Sequence, residues 1–167
     1  DQGVLLDLGC GAGVPVAQSF LANGWEVVGV DFCPEMLALA AQHVPAMRRV
    51  CGDMRRLELA PKSVDAVTCV YSLFHLPWRE HGALFQRIAG WLRPNGRLFF
   101  TYATADYNGE PEFEGWIDFM GERLFFSHST EARLRQQLAL AGLQIESEER
   151  PEIGGQRFLW VTASAAE

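Results

Sequence analysis

Lysine is nearly missing from this chain. Lys62 is the sole lysine among 14 basic residues, set against 21 acidic ones, for a formal net charge of −7 over 167 residues. The arginines are scattered along the sequence, which disfavours a nucleic-acid backbone as partner. Cysteine is sparse as well. Cys10, Cys33, Cys51 and Cys69 form no CxxC pair and match no zinc spacing, so the expectation is reduced thiols in a cytoplasmic protein, with no metal site. No apolar run reaches the length of a membrane span, and no basic, apolar leader opens the chain. Repeats and low-complexity tracts are lacking too. No helical pattern precedes the first strand at Val4, so a segment covering one edge of the fold is expected to be absent from the amino end. Residues 1–167 are enough for a single α/β domain and too few for two.

What is present is alternation. Apolar strand patterns near 4–8, 26–31, 48–52, 64–70 and 97–103 are separated by helical ones, the signature of a parallel sheet covered on both faces. A helix after the first strand has Pro15 in its first turn, carries Val16, Ala17, Phe20 and Leu21 on one face, and stops at Asn23-Gly24. The next opens at Pro34 and is expected to bury Met36, Leu37, Ala40, Ala41 and Val44; a third spans about 80–92. Ser129-Thr130-Glu131 reads as another helix start. At the end, Leu143–Glu149 and Gln156–Thr162 flank a turn at Gly154-Gly155, and strands joined so closely are antiparallel. The acidic, aromatic stretch 105–128 fits neither period. It is expected to be an insertion lying over the carboxyl edge of the sheet, where open α/β sheets bind ligands.

The chemistry gathers at strand ends. Asp7 closes an apolar strand two residues before the alternating glycines Gly9, Gly11 and Gly13. Such a turn lets a nucleotide-like ligand approach the backbone, while Asp7 would repel a pyrophosphate and hold an ammonium. Asp31 ends the second strand and suits ribose hydroxyls; Asp53, after the third, suits an adenine amino group. Phe32, Met36 and Met54 lie beside them and could sandwich a purine.

Five segments then resemble the class I S-adenosylmethionine-dependent methyltransferases of the small bacterial type. They are Asp7–Gly13, Val30-Asp31-Phe32-Cys33-Pro34-Glu35-Met36-Leu37, Gly52-Asp53-Met54, Asp65-Ala66-Val67 leading to Phe74-His75-Leu76, and Leu92–Leu98. The resemblance implies a Rossmann-like three-layer sandwich with a seven-stranded mixed sheet, order 3-2-1-4-5-7-6, last strand antiparallel. It implies S-adenosyl-L-methionine as cofactor, with Asp7 at the ammonium, Gly9 and Gly11 at the close backbone, Asp31 at the ribose and Asp53 with Met54 at the adenine. Cys10, Phe32, Met36 and Tyr71 complete the expected cofactor contacts. Methyl transfer would proceed in line to a small-molecule acceptor.

Two alternatives stay open: a cofactor-binding module without catalysis, and a nicotinamide-dependent oxidoreductase. Against the latter, Val14 stands where the third glycine of the dinucleotide fingerprint belongs. His75 follows the fourth strand and reads either as a general base or, preferably, as a loop-orienting hydrogen-bonding group. Phe74, Tyr107, Trp116 and His128 are candidate acceptor-site residues, with Tyr71, Phe74, Tyr107 and Trp116 expected to form one apolar wall. The acidic run 110–122 would favour a cationic or neutral acceptor. Asp65, at the far end of its strand, reads as structural.

Overall fold

The five alternating apolar segments at the amino end pair as parallel strands because each of the four connections between them is a crossover that packs back onto the sheet. The computed structural model describes residues 2–119 and 121–165. Strands β1 (Val4–Leu8), β2 (Glu26–Asp31), β3 (Arg48–Cys51), β4 (Val64–Cys69) and β5 (Leu92–Tyr102) run parallel. β11 (Leu159–Ala165) joins antiparallel to β5 and to β8 (Leu143–Glu149). The order β3-β2-β1-β4-β5-β11-β8 is a seven-stranded mixed sheet, and it matches the expected 3-2-1-4-5-7-6 when strands are counted within that sheet.

Two layers of helix cover it. Helices α1 (Val16–Ala22) and α2 (Pro34–His43) cover one face, where Leu5, Ala17, Val27, Leu37, Ala40, Val44 and Met47 pack together. Helices α3 (Trp78–Trp91) and α5 (Glu131–Leu140) cover the other, over a larger core that includes Leu6, Val67, Phe85, Phe100 and Leu138. Met36 and Ala41 are exposed on α2 rather than buried, because only Leu37, Ala40 and Val44 face the sheet. α5 starts where its sequence indicates, with the Thr130 hydroxyl accepting from the Arg133 amide at 3.3 Å. Asp65 accepts from the Val4 amide at 2.8 Å and pairs with Arg93 at 2.6 Å, the structural role expected of it.

Two segments depart from expectation. The terminal hairpin is longer: Gly154-Gly155 lies between the short strands β9 (Glu152–Ile153) and β10 (Gln156–Arg157), which pair only with each other, and β11 begins after them. The stretch 105–128 is regular. It forms one turn of helix, α4 (Ala105–Asn108), and an antiparallel hairpin, β6 (Phe113–Phe119) with β7 (Glu122–His128). Its alternation is masked because Gly115 sits on the inner face while Trp116 lies outside, 61% exposed, against Phe125 and Arg123.

A clasp fixes the hairpin to the body. The guanidinium groups of Arg79 and Arg133 each lie over the Trp78 ring, at the start of α3, 4.5 Å from its centre. Arg79 pairs with Glu114 of β6 at 2.7 Å and Arg133 with Glu112 just before it at 3.1 Å. Exposed ion pairs contribute at most about 1 kcal/mol each and exposed cation–π contacts about 0.5–1 kcal/mol, so the clasp governs local opening rather than global stability. Trp78→Ala should accelerate amide exchange across β6 and β7 while leaving β1, β4 and β5 protected; equal acceleration throughout would contradict this.

Candidate functional site

The glycine turn is strung between two strands. Gly9, Gly11 and Gly13 all have positive φ, at 72°, 52° and 77°. The Gly9 and Cys10 amides both donate to the Val30 carbonyl, at 2.8 and 3.1 Å, tying the turn to the end of β2. A Cβ on Gly9 would lie 2.3 Å from Ser72 Cβ, so that position is closed to any side chain. Gly11 differs: a Cβ there would meet nothing within 4 Å, and its amide donates to Asp31 Oδ2 at 2.8 Å. The Cys33 amide donates to Asp31 Oδ1 at 2.9 Å. Backbone groups from both loops therefore aim the Asp31 carboxylate along the rim.

Asp7 stands one strand over. It is 3% exposed and its Oδ1 accepts from the Thr68 hydroxyl at 2.7 Å. Burial pushes its pKa up to about 6, and the neighbouring Asp31 charge adds to the effect. The expected fixed negative charge is thus a carboxylate near its titration point. Thr68 pairs with Asp7 across the β1–β4 ladder; its signal in the sequence is a hydroxyl inside the apolar run Ala66–Cys69.

Asp53 follows β3 and caps the turn Met54–Arg56, accepting from the Arg55 amide at 2.9 Å. Its carboxylate also takes the Arg55 side chain, with Nη2 at 2.7 Å and Nε at 3.0 Å from both oxygens. Hydrogen bonding from Arg55 holds Asp53 below the usual carboxylate range. Met54 reaches the turn, its Cε 3.4 Å from where a Gly9 Cβ would sit. Phe32 is 75% exposed, Met36 43% and Tyr71 40%, whereas Cys10 is buried. Burial also pushes the Cys10 thiol up to about 12, which leaves it protonated. Tyr71 adopts φ 53°, a conformation rare for a residue with a side chain, and its amide donates to Thr101 Oγ1 at 2.7 Å. The rim carrying Asp7, Asp31 and Asp53 is an open shelf. A recess of about 590 Å³ lies elsewhere, between α4 and the β9–β10 ribbon, lined by Tyr107 and Arg157 among others.

Beside the shelf, Phe74, Tyr107, Phe126 and Phe158 form a stacked cluster, with ring centres of Tyr107 and Phe126 4.6 Å apart. Tyr71 joins through Phe158 at 5.2 Å. Trp116 does not join, because strand alternation turns it outward. His128, the last residue of β7, is buried, with its Nε2 3.1 Å from Asn108 Oδ1. Of the acidic run, Glu112 pairs with Arg133 and Glu114 with Arg79. His75 Nδ1 lies 2.8 Å from the Phe125 carbonyl of β7. A carbonyl only accepts, so Nδ1 carries the proton and Nε2 is the bare nitrogen when the ring is neutral.

The family model described as a methyltransferase domain matches residues 5–96, which run from β1 into β5. The chain belongs to the methyltransferase domain family. An uncharacterized methyltransferase of Mycobacterium tuberculosis is 34% identical over 118 residues, covering 71% of this chain and 45% of that protein. The chain thus spans less than half the length of that relative. A provisionally assigned S-adenosylmethionine-dependent methyltransferase of Listeria monocytogenes superimposes with TM-score 0.87 at 19% identity, over 100% of this chain and 91% of that one. At 27% identity and TM-score 0.77, a Burkholderia thailandensis 1,6-didemethyltoxoflavin-N1-methyltransferase, solved with that acceptor and S-adenosylhomocysteine, matches 99% of this chain and 72% of its own.

S-adenosylmethionine, the cofactor of such domains, can be tested against the residues of this methyltransferase domain. Gly11 leaves open the space a side chain would fill, Asp31 is held by amides at the edge of that space, and Thr68 occupies one Asp7 oxygen. A buried carboxylate seeking a cation beside an open backbone cradle fits an adenosyl amino acid.

Asp7 also shapes stability. With its native pKa near 6, above the usual 3.8, the folded chain binds a proton more readily than the unfolded chain between those values. The group therefore favours folding as pH falls through that window and costs about 3 kcal/mol above it. His81 acts oppositely. It is fully buried with its Nε2 3.1 Å from the Leu76 carbonyl and Nδ1 unpartnered, and burial pushes it down to about 4, so its contribution is lost as pH falls from about 6.5 toward 4. The slopes oppose each other in the shared window. Asp7→Asn should raise stability at pH 7.5 by about 2–3 kcal/mol and leave a variant that weakens on acidification from about pH 6.5, measured by urea denaturation; unchanged stability at pH 7.5 would contradict the burial argument.

Proposed function

We propose that this domain binds S-adenosylmethionine along the rim and transfers its methyl group to a small-molecule acceptor. The observation carrying this reading is the convergence of Asp7, the open Gly11 and the amide-held Asp31 at neighbouring strand ends. Asp7 Oδ1 is taken by Thr68, and the second oxygen is the acceptor for the cofactor ammonium. Asp31 accepts the ribose hydroxyls, Asp53 and Met54 meet the adenine, and Phe32 and Met36 lie against its faces. When bound, the cofactor supplies a methyl group activated by the positive charge on sulfur. Little more is needed from the chain than approach geometry and an environment poor in water. Tyr71, Phe74, Tyr107 and Phe158 supply that environment, and the β6–β7 hairpin acts as the lid that closes it. The 27%-identical structure solved with bound 1,6-didemethyltoxoflavin supports a small molecule.

His75 is a positioning residue in this reading. Its Nδ1–H joins the loop after β4 to the lid carbonyl of Phe125. Asn could keep that donor but could not accept the acceptor's proton as a base, so His75→Asn should retain most turnover while His75→Ala loses it. Equal, severe loss in both variants, with a shifted pH–rate profile, would make His75 a general base instead.

The cofactor reading is tested by titrating S-adenosylhomocysteine into purified protein. Asp31→Ala should weaken binding at least about tenfold, since hydrogen bonds to charged groups contribute about 1.5–3 kcal/mol. Gly11→Ala should fold, strained by about 1–2 kcal/mol, yet lose binding because its methyl intrudes on the cradle. Full affinity in both variants would sink the reading.

A further inference from the structure

Resting on that cofactor reading, we propose that Arg55 is a specificity-determining residue that competes with the adenine amino group for Asp53 and moves onto Glu80 when the base arrives. A carboxylate offers about four acceptor positions. Here the Arg55 amide and Nε take Oδ1 at 2.9 and 3.0 Å, while Nε and Nη2 take Oδ2 at 3.0 and 2.7 Å. Three hydrogens, the Nε one shared between both oxygens, thus crowd the carboxylate, and a further donor meets it in competition with the guanidinium while Arg55 stays. The carboxylate assigned to the adenine is already in use by the neighbouring side chain.

The guanidinium has a second carboxylate within reach. Arg55 Nη1 already lies 3.1 Å from Glu80 Oε2 and 3.4 Å from Oε1, in the first turn of α3. Glu80 is 45% exposed at its side chain, and the Asp53–Arg55 pair itself is 28% and 39% exposed. Exposed pairs of this kind are weakly held. When the guanidinium leaves Asp53 it keeps Glu80 as its carboxylate partner, and the freed Asp53 still accepts the Arg55 amide and is open to the adenine amino group. The Arg55 carbonyl is anchored separately by the Arg87 side chain, so the backbone can stay while the side chain swings.

Such an exchange sets base preference. An amino donor at the purine six-position satisfies the freed Asp53. A keto oxygen there cannot donate, so it leaves the carboxylate to Arg55. Removing Arg55 should help an adenine ligand and give nothing to a six-keto one.

The test is calorimetric titration of S-adenosylhomocysteine and its six-keto analogue, S-inosylhomocysteine, into the wild type, Arg55→Ala, Glu80→Gln and the double variant, each checked for folding by thermal melting. Arg55→Ala should bind S-adenosylhomocysteine about threefold to fivefold tighter, as expected for loss of a weak competing pair, and show no gain for the analogue. Glu80→Gln should bind about twofold to threefold weaker, because Arg55 loses its second partner, and should have no effect once Arg55 is absent. Weaker binding in Arg55→Ala, or a Glu80→Gln effect that persists without Arg55, would overturn the competition. Failure of the wild type to bind, or full affinity in Asp53→Ala, would instead count against the assignment of this rim to the cofactor.

Discussion

A carboxylate buried at the middle of a parallel sheet is costly unless something positive comes to meet it, and Asp7 is in that position. One hydroxyl satisfies it, burial lifts its pKa to about 6, and the nearest acidic group makes matters worse. The rest of the rim is arranged around this cost. The glycine turn leaves open space at Gly11, Thr68 stands directly across the ladder from Asp7, and backbone amides hold Asp31 beside it. Replacing Asp7 by a neutral residue would give a steadier fold, which is why its presence points to a ligand rather than to architecture.

The two sides of the site are built differently. On the proposed cofactor side, the carboxylates sit at or just past the ends of β1, β2 and β3. On the proposed acceptor side, the hairpin is held by buried contacts of β7, with Phe126 in the aromatic cluster and the Ser127 hydroxyl donating to the Leu76 carbonyl, and by exposed ones, two arginines on Trp78 and two ion pairs. Arg55 sits between the two sides, linking Asp53 of the rim to Glu80 of α3. One residue earlier, Arg79 links α3 to the hairpin.

Much of this was legible in the residues. Strand ends at Asp7, Asp31 and Asp53 follow from apolar periodicity and turn chemistry, which are local signals. Side-chain direction within the irregular stretch was not. Gly115 on the inner face and Trp116 on the outer one invert the apolar alternation of β6, so the hairpin looked structureless and Trp116 looked like pocket lining. His128 was hidden for a related reason: only the packing of α4 onto β7 shows that it is enclosed. Arg55 and His81 carry no motif at all. Their importance comes from partners 25 and 5 residues away, and such pairings are set by tertiary structure.

The central claim is that Asp7 is a carboxylate held near its titration point for a cationic amino group. Proton exchange on binding S-adenosylhomocysteine at pH 6, measured calorimetrically in buffers of different ionisation enthalpy, tests it directly. Pairing with the ammonium should force Asp7 fully ionised and release about half a proton, and Asp7→Asn should abolish the release. Binding with no proton released by the wild type, or an equal release from Asp7→Asn, would contradict the account.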